Sequence, residues 1–241
     1  DVRKALSAPV LGVLPKDPSP LRLGRGAQTE VEERLRAART NVLHALSHGA
    51  RQVVVVTSAG PREGASTTAA GLARVLALSG HRVVLVGGDL RSPSAVGAPG
   101  APGLAEVLVG TARLSQVLVE GEVPGLELLP AGDMPGNPSE LLGGRNMSDL
   151  LHHLAADRIV IIDAPPVCRF TDAVVLAEYA GGVLLVARAG RTSAEELREA
   201  ALAVGQGGGH MLGVVLTNVS DLGRGSRSAQ TAVTHAESAT V

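Results

Sequence analysis

Aromatic side chains are almost missing from this sequence of 241 residues, which contains one Tyr, one Phe and no Trp. This scarcity argues against modules that bind single-stranded nucleic acid by stacking bases on aromatic platforms. The formal net charge of −1 also gives no general attraction to a polyanion, so no nucleic-acid partner is expected. The core must be aliphatic, which suits a parallel sheet that is buried on both faces.

Cysteine and long apolar runs are scarce as well. Cys168 is the single cysteine, so no disulfide framework can form within the chain, and a cytosolic setting is expected. We interpret it as a small buried thiol. No apolar run approaches the roughly 20 residues that a membrane-spanning helix needs. The seven histidines lack metal-binding spacing with a cysteine or carboxylate partner, which argues against a metal–histidine site.

Short apolar runs alternate with helical patterns along the chain. The runs predict six strands, over Val53–Thr57, Arg82–Val86, Leu126–Leu129, Ile159–Ile162, Val183–Ala187 and Leu212–Thr217. Helices are predicted from Thr29 to Gly49 and over Thr67–Ser79, Leu104–Val109, Asn146–Ala156, Asp172–Tyr179 and Ala194–Val204. This alternation predicts an α/β fold with a doubly wound, mostly parallel sheet and helices on both faces. Together with the phosphate-loop sequence described below, it indicates a fold of P-loop NTPase type.

Composition divides the chain into three parts. Residues 1–25 carry prolines at positions 9, 15, 18 and 20, which predict an extended arm or linker. Residues 26–220 form the predicted domain. Residues 221–241 are mostly small and polar, and a disordered tail is expected there.

The stretch Val53 to Ala73 reads VVVVTSAGPREGASTTAAGLA. A strand, a tight loop and a helix N-terminus in this order predict a phosphate cradle, because backbone N–H groups and the helix dipole favour an anion. The loop has the outline of a Walker A motif, but Ala65 stands where a lysine should touch the phosphates. The predicted nucleotide-binding residues are Gly60, Arg62, Glu63, Gly64, Ala65, Ser66 and Thr67.

Two acidic residues follow buried strands. Asp89 comes after the second predicted strand and Asp163 after the fourth, so both are expected at the carboxyl edge of the sheet, beside the loop. Carboxylates there can orient water bound to Mg²⁺, and the Ser66 hydroxyl can ligate the ion. The sequence therefore predicts a metal site formed by Ser66, Asp89 and Asp163.

Several motifs together resemble one family, the bacterial tyrosine autokinases (BY-kinases) of capsule and exopolysaccharide biosynthesis. They are APVLGVLP at 8–15, GGDLRSP at 87–93, GLAEVLVG at 103–110, LPAGDMPGNPSELL at 129–142, IIDAPPV at 161–167 and GVVLTNV at 213–219. The resemblance covers roughly Asp1 to Ser220. It implies Mg-ATP as the cofactor, catalytic roles for Asp89, Arg91 and Asp163, and a place for Asn218 beside the adenine.

The same resemblance implies partners and a location. Glu33, Arg36 and Arg39 reproduce the family's Glu-x-x-Arg-x-x-Arg pattern, which is associated with a homo-oligomeric ring. Without the resemblance, these residues would be an ordinary solvated helix face. A membrane polysaccharide co-polymerase or its transmembrane activator is the expected partner, at the inner face of the plasma membrane.

The sequence departs from the family pattern at three places. Ala65 replaces the phosphate lysine, and Gly87 replaces the first acid of Asp-x-Asp-x-Arg-x-Pro. The tail from Asp221 also lacks the family's tyrosine cluster, and Tyr179 lies in an apolar helical pattern that indicates a core position. Lys4 and Lys16, the only lysines, precede the domain core and are not natural replacements, whereas Arg62 could partly restore positive charge.

These departures favour a degenerate member of the family, a pseudokinase that retains an assembly or regulatory role. One alternative is an active Mg-ATP-dependent tyrosine kinase in which the Walker A lysine was changed to alanine by design. Another is an ATPase of the group that positions septa or plasmids. That group usually carries a second, earlier loop lysine, which is absent here.

Overall fold

The computed structural model describes residues 8–16, 30–47, 52–92, 96 and 100–220. Thr29 and Gly49, the predicted limits of the first helix, and the tail from Asp221 lie outside these ranges. In the described parts of the chain, no helix combines the length and the apolar character that a bilayer span requires.

Within the described residues, one sheet of eight strands organises the fold, in the order β1-β8-β7-β2-β6-β3-β5-β4. All neighbouring strands are parallel except β4, which is antiparallel to β5. The strands are β1 (Val10–Pro15), β2 (Val53–Ser58), β3 (Val83–Gly87), β4 (Val119–Glu120), β5 (Leu126–Leu129), β6 (Ile159–Asp163), β7 (Gly182–Arg188) and β8 (Met211–Val219).

Helices cover both faces of this sheet. They are α1 (Glu30–Ser47), α2 (Ala65–Leu78), α3 (Leu104–Val109), α4 (Leu114–Val117), α5 (Pro138–Leu142), α6 (Arg145–Ala155), α7 (Asp172–Tyr179) and α8 (Ala194–Gln206). Successive residues of β2 point to opposite faces: Val54 packs with α1 and α2, whereas Val55 packs with residues of α3 to α8. Since both faces are buried, the strands are uniformly apolar, and the predicted fold class is confirmed.

The six predicted strands and the five predicted helices after α1 are all present, with ends within two residues of the prediction. The short elements β4, α4 and α5 were missed because they hold too few residues to show a period. The interpretation of Cys168 as a buried thiol was wrong: it is exposed, in the loop between β6 and α7.

The proline-rich arm contributes the edge strand β1. It runs parallel to β8, and the Lys16 N–H donates to the Val219 carbonyl at 3.1 Å. Prolines are tolerated at such an edge because one side of the strand needs no ladder hydrogen bonds.

Candidate functional site

The loop between β2 and α2 has the backbone of an anion-binding cradle. Arg62 and Gly64 both adopt left-handed conformations, with φ of 61° and 98°. Gly64 precedes the first turn of α2, and a Cβ at Gly64 would lie 3.3 Å from Thr217 Cγ2. The first N–H groups of an α-helix have no acceptor within the helix, so those of α2 remain available to a phosphate.

The loop is held in place by the ends of two neighbouring strands. Arg188 Nη1, at the end of β7, donates to the Arg62 carbonyl at 3.1 Å. Thr217 Oγ1, near the end of β8, donates to the Glu63 carbonyl at 2.6 Å. Within the loop region, Ser58 Oγ donates to the Gly60 carbonyl at 2.8 Å. These bonds hold three carbonyl groups of the loop in place.

Two cavities flank the loop and share part of its lining. The first, of about 190 Å³, lies towards β1, α1 and β8 and includes Lys16 and Asn218. The second, of about 340 Å³, lies towards β3 and β6 and includes Ser66 and Asp89. Both are lined by Arg62, Glu63, Gly64 and Thr67. The predicted nucleotide-binding residues line these two cavities, with Ala65 in the second, except for Gly60, which lines neither.

Asp163, the last residue of β6, is 2% exposed and hydrogen-bonds with the Ser66 side chain. Burial raises the pKa of its carboxyl from 3.8 to about 7, the Ser66 hydrogen bond opposes this rise, and the negative charge of Asp89 adds to it. A positive charge in the second cavity would therefore stabilise the ionised form of Asp163.

Asp89 lies in the loop after β3 and lines the second cavity, whereas Asp163 is not among the lining residues. Burial raises the pKa of its carboxyl, and the hydrogen bond that it accepts from the Arg91 N–H at 3.1 Å opposes this rise. Within the described residues, no group of three or more His, Cys, Asp or Glu side chains is arranged as a metal site. The donor set of one hydroxyl and two carboxylates fits Mg²⁺, which usually keeps waters and binds phosphate oxygens beside one or two carboxylates.

Gly87 removes an acid from this edge of the sheet. It ends β3 and pairs in register with Asp163. A carboxylate at position 87 would stand beside Asp163 and Asp89, so its absence lowers the negative charge near the predicted metal site.

The Arg91 side chain contacts residues outside the phosphate loop between β2 and α2. Its guanidinium pairs with Asp172 at the start of α7, with Nε–Oδ2 and Nη2–Oδ1 distances of 2.6 and 3.0 Å. It also donates to Ser139 Oγ at 2.9 Å and lies 4.8 Å from the centroid of the Phe170 ring. The Asp172 side chain is fully buried, and Ser139 Oγ also bonds to it. Arg91 thus ties the loop that carries Asp89 to α5 and α7.

Sequence reasoning missed the partners of Arg91. Asp172 is the first residue of α7, where an acid is ordinarily explained by the helix dipole. Nothing in its local sequence distinguishes a buried ion-pair partner from such a residue.

Glu63 lies inside the loop and is 3% exposed. Burial raises the pKa of its carboxyl, while hydrogen bonds from the Thr192 side chain and the Gly60 backbone oppose the rise. Among the described residues, its Oε2 atom has no hydrogen-bond partner. The carboxylate therefore faces the interior of the loop and not the solvent.

The predicted oligomer residues on α1 divide into two groups. Arg36 bonds to Glu32 at 2.9 Å and to Glu33 at 3.3 Å, and the Glu33 side chain is 71% exposed. Arg39 instead donates to the Val75 carbonyl of α2 at 3.4 Å. Glu33 and Arg36 thus remain on the outer surface of α1, and the ring assembly stays a prediction.

Comparison with curated proteins found bacterial tyrosine-protein kinases. No family model matches the chain. The chain is 39% identical over 171 residues to the putative tyrosine-protein kinase EpsB of Ralstonia nicotianae, which covers 69% of this chain and 23% of EpsB. It is 36% identical over 188 residues to the tyrosine-protein kinase YwqD of Bacillus subtilis, covering 76% of this chain and 79% of YwqD.

Solved structures include a tyrosine kinase domain and, at 20% identity, the cell division ATPase MinD of Pyrococcus furiosus, which shows likeness of fold alone. The kinase domain of the Escherichia coli tyrosine kinase ETK superposes with a TM-score of 0.83 at 26% identity, covering 92% of this chain and 95% of that domain. This chain therefore corresponds to most of YwqD and of the ETK domain, and to about a quarter of EpsB.

Proposed function

Because this chain belongs to the family of bacterial tyrosine-protein kinases, we propose that it is a nucleotide-binding domain of that family with impaired phosphoryl transfer. In this proposal it serves polysaccharide export as an assembly or regulatory module. The observation that carries the proposal is the preserved cradle, with its left-handed Arg62 and Gly64, next to Ala65 in place of the lysine.

The residues that remain are suited to holding Mg-ATP or Mg-ADP. The N–H groups of the loop and of the first turn of α2 would receive the phosphates. Ser66 would ligate Mg²⁺, and Asp89 and Asp163 would orient its waters. The ion, when bound, would neutralise charge on the phosphate oxygens. Asn218, which lines the first cavity, would lie beside the base.

The missing residues affect phosphoryl transfer more than they affect nucleotide binding. A lysine at position 65 would stabilise charge on the transferring phosphoryl group, and this stabilisation matters most in the transition state. Gly87 also removes an acid that would be a candidate base for the acceptor hydroxyl. Backbone donors alone can hold a nucleotide, so binding would survive where transfer does not.

An acceptor within the chain is also lacking. Tyr179 is the only tyrosine in the sequence. Its hydroxyl donates to the Gly143 carbonyl at 2.9 Å, and its ring packs against the core at the end of α7. Within residues 1–241, no other tyrosine can therefore serve as the acceptor.

Partners and location follow from family membership and are proposals too. The expected partner is a membrane polysaccharide co-polymerase or its transmembrane activator, which would hold the domain at the inner face of the plasma membrane. Glu33 and Arg36 would contribute to a homo-oligomeric ring through the outer surface of α1.

Substituting lysine for Ala65 tests the proposal. We expect Ala65→Lys to tighten Mg-ATP binding about 10- to 100-fold, because a charge-assisted hydrogen bond contributes about 1.5–3 kcal/mol. Isothermal titration calorimetry of both proteins with Mg-ATP measures the change. Ala65→Met, which adds length without charge, is the matched control and should leave the affinity within about 3-fold.

Two results would speak against the proposal. If neither the unaltered chain nor Ala65→Lys binds a nucleotide, the domain has a purely structural role. If Ala65→Lys alone restores phosphorylation of a tyrosine substrate, position 65 accounts for the whole impairment, and the chain is a kinase with a single altered residue.

A further inference from the structure

We infer that this site draws its positive charge from Lys16, Arg62 and Arg188, and that these cations bind the α- and β-phosphates of a nucleoside diphosphate. The inference rests on the proposed nucleotide-binding function. It names the residues that replace the missing lysine and the two phosphates that they bind.

The three cations reach the first cavity from separate elements. Lys16 follows β1, Arg62 lies in the loop, and Arg188 ends β7. Within the described residues, no carboxylate lies within ion-pair distance of any of the three. Three cations without acidic partners around one cavity favour an anionic ligand.

The cavity also contains one acid, Glu63. Its side chain is 3% exposed and accepts hydrogen bonds from the Gly60 backbone and the Thr192 side chain. Because this carboxylate is turned into the loop, it is not in a position to neutralise the cations at the cavity surface.

The charges are divided between the two cavities. Lys16 and Arg188 line only the first cavity, as does Thr68 of α2. Thr67, in the same turn of α2, lines both cavities. Asp89 lines only the second, where Arg62 is the single cation among the lining residues. A polyphosphate that follows the loop would meet the cations on the side of the nucleoside and the acids on the side of the terminal phosphate.

The Arg188 side chain is held at the cavity by a hydrogen bond, whereas only the backbone of Lys16 is fixed. Arg188 Nη1 bonds to the Arg62 carbonyl, and the Arg188 N–H bonds to Thr192 Oγ1 at 2.8 Å. The backbone of Lys16 is fixed against β8 by its bond to Val219. Pre-ordered cations lose less entropy when a ligand binds. The third phosphate of ATP would add little binding energy, because the side chain at position 65 is not a hydrogen-bond donor. ATP should therefore bind no more tightly than ADP.

Calorimetric titrations of the full chain with adenosine, Mg-ADP and Mg-ATP test this inference. We expect Lys16→Met and Arg188→Met each to weaken Mg-ADP binding about 10-fold, the loss of one charge-assisted hydrogen bond, with adenosine binding unchanged. Lys16→Arg should retain the affinity, and Mg-ATP and Mg-ADP should agree within about 3-fold in the unaltered chain. Arg113→Met, at an exposed residue that lines neither cavity, is the control.

The outcomes separate this inference from the proposed function. If the unaltered chain binds Mg-ADP and neither Lys16→Met nor Arg188→Met weakens it, or if Mg-ATP binds more than about 10-fold more tightly, the inference is overturned and nucleotide binding stands. If the unaltered chain binds no nucleotide, the proposed function fails and the inference with it. Thermal unfolding of Arg188→Met checks that this variant remains folded. If it does not, Lys16→Met provides the test, because Lys16 is exposed.

Discussion

Replacing Arg91 with methionine is expected to lower the free energy of unfolding by about 3 kcal/mol, because it leaves the carboxylate of Asp172 buried and unpaired. The Asp172 side chain is fully buried and takes two hydrogen bonds from the guanidinium. The loss should lie at the lower end of the range for broken buried pairs, since Arg91 is itself 30% exposed and water can enter. Urea unfolding followed by circular dichroism measures the change.

Two further variants make this experiment specific. Arg82 and Asp157 form an ion pair on the surface, with side chains 57% and 46% exposed, so Arg82→Met should cost less than about 1 kcal/mol. The double variant Arg91→Met/Asp172→Asn should regain part of the loss, because the buried charge is gone. An Arg91→Met variant as stable as Arg82→Met would refute a structural role for the Arg91 pair.

Asp163→Asn is expected to stabilise the metal-free protein above neutral pH. Burial raises the pKa of Asp163 from 3.8 to about 7. Since the folded-state pKa is the higher one, the stability that this group contributes is complete below pH 3.8 and is lost as the pH rises through about 7. A shift of about three pKa units corresponds to about 4 kcal/mol at most, and asparagine would remove this dependence.

The measurement is the unfolding free energy of both proteins in EDTA at about pH 5 and about pH 8. The gain from Asp163→Asn should be larger at the higher pH, because there the native carboxyl must ionise in a buried position. Asp149→Asn, at a side chain that is 72% exposed, is the control for the loss of a surface carboxylate. An equal effect of Asp163→Asn at both pH values would mean that burial does not raise the pKa of Asp163.

The larger elements of the fold were predictable from the sequence because their signals are local. Runs such as Val53–Ser58 are apolar throughout, as buried parallel strands require. The convergence of Ser66, Asp89 and Asp163 was also predictable, since parallel strands end at one edge of the sheet. The untested catalytic and metal-binding roles of these residues rest on that convergence and on family membership.

The remaining features depend on contacts between distant parts of the chain. Asp172 lies 81 residues from Arg91, and no local pattern joins them. Lys16 was set aside because it precedes the domain core in sequence, but the pairing of β1 with β8 brings it to the cavity beside the loop. The left-handed conformation of Arg62 could not be predicted from the sequence either, because it is imposed by the loop and not favoured by arginine.

In the proposed function, this domain holds a nucleotide and is impaired in phosphoryl transfer. The most direct test incubates an excess of the unaltered chain with Mg-ATP labelled on the γ-phosphate and analyses the protein-bound and free label over time. We expect the protein to retain the label as intact ATP. Label that is released as phosphate or found on tyrosine would contradict the loss of transfer, and label that never binds would contradict the nucleotide site itself.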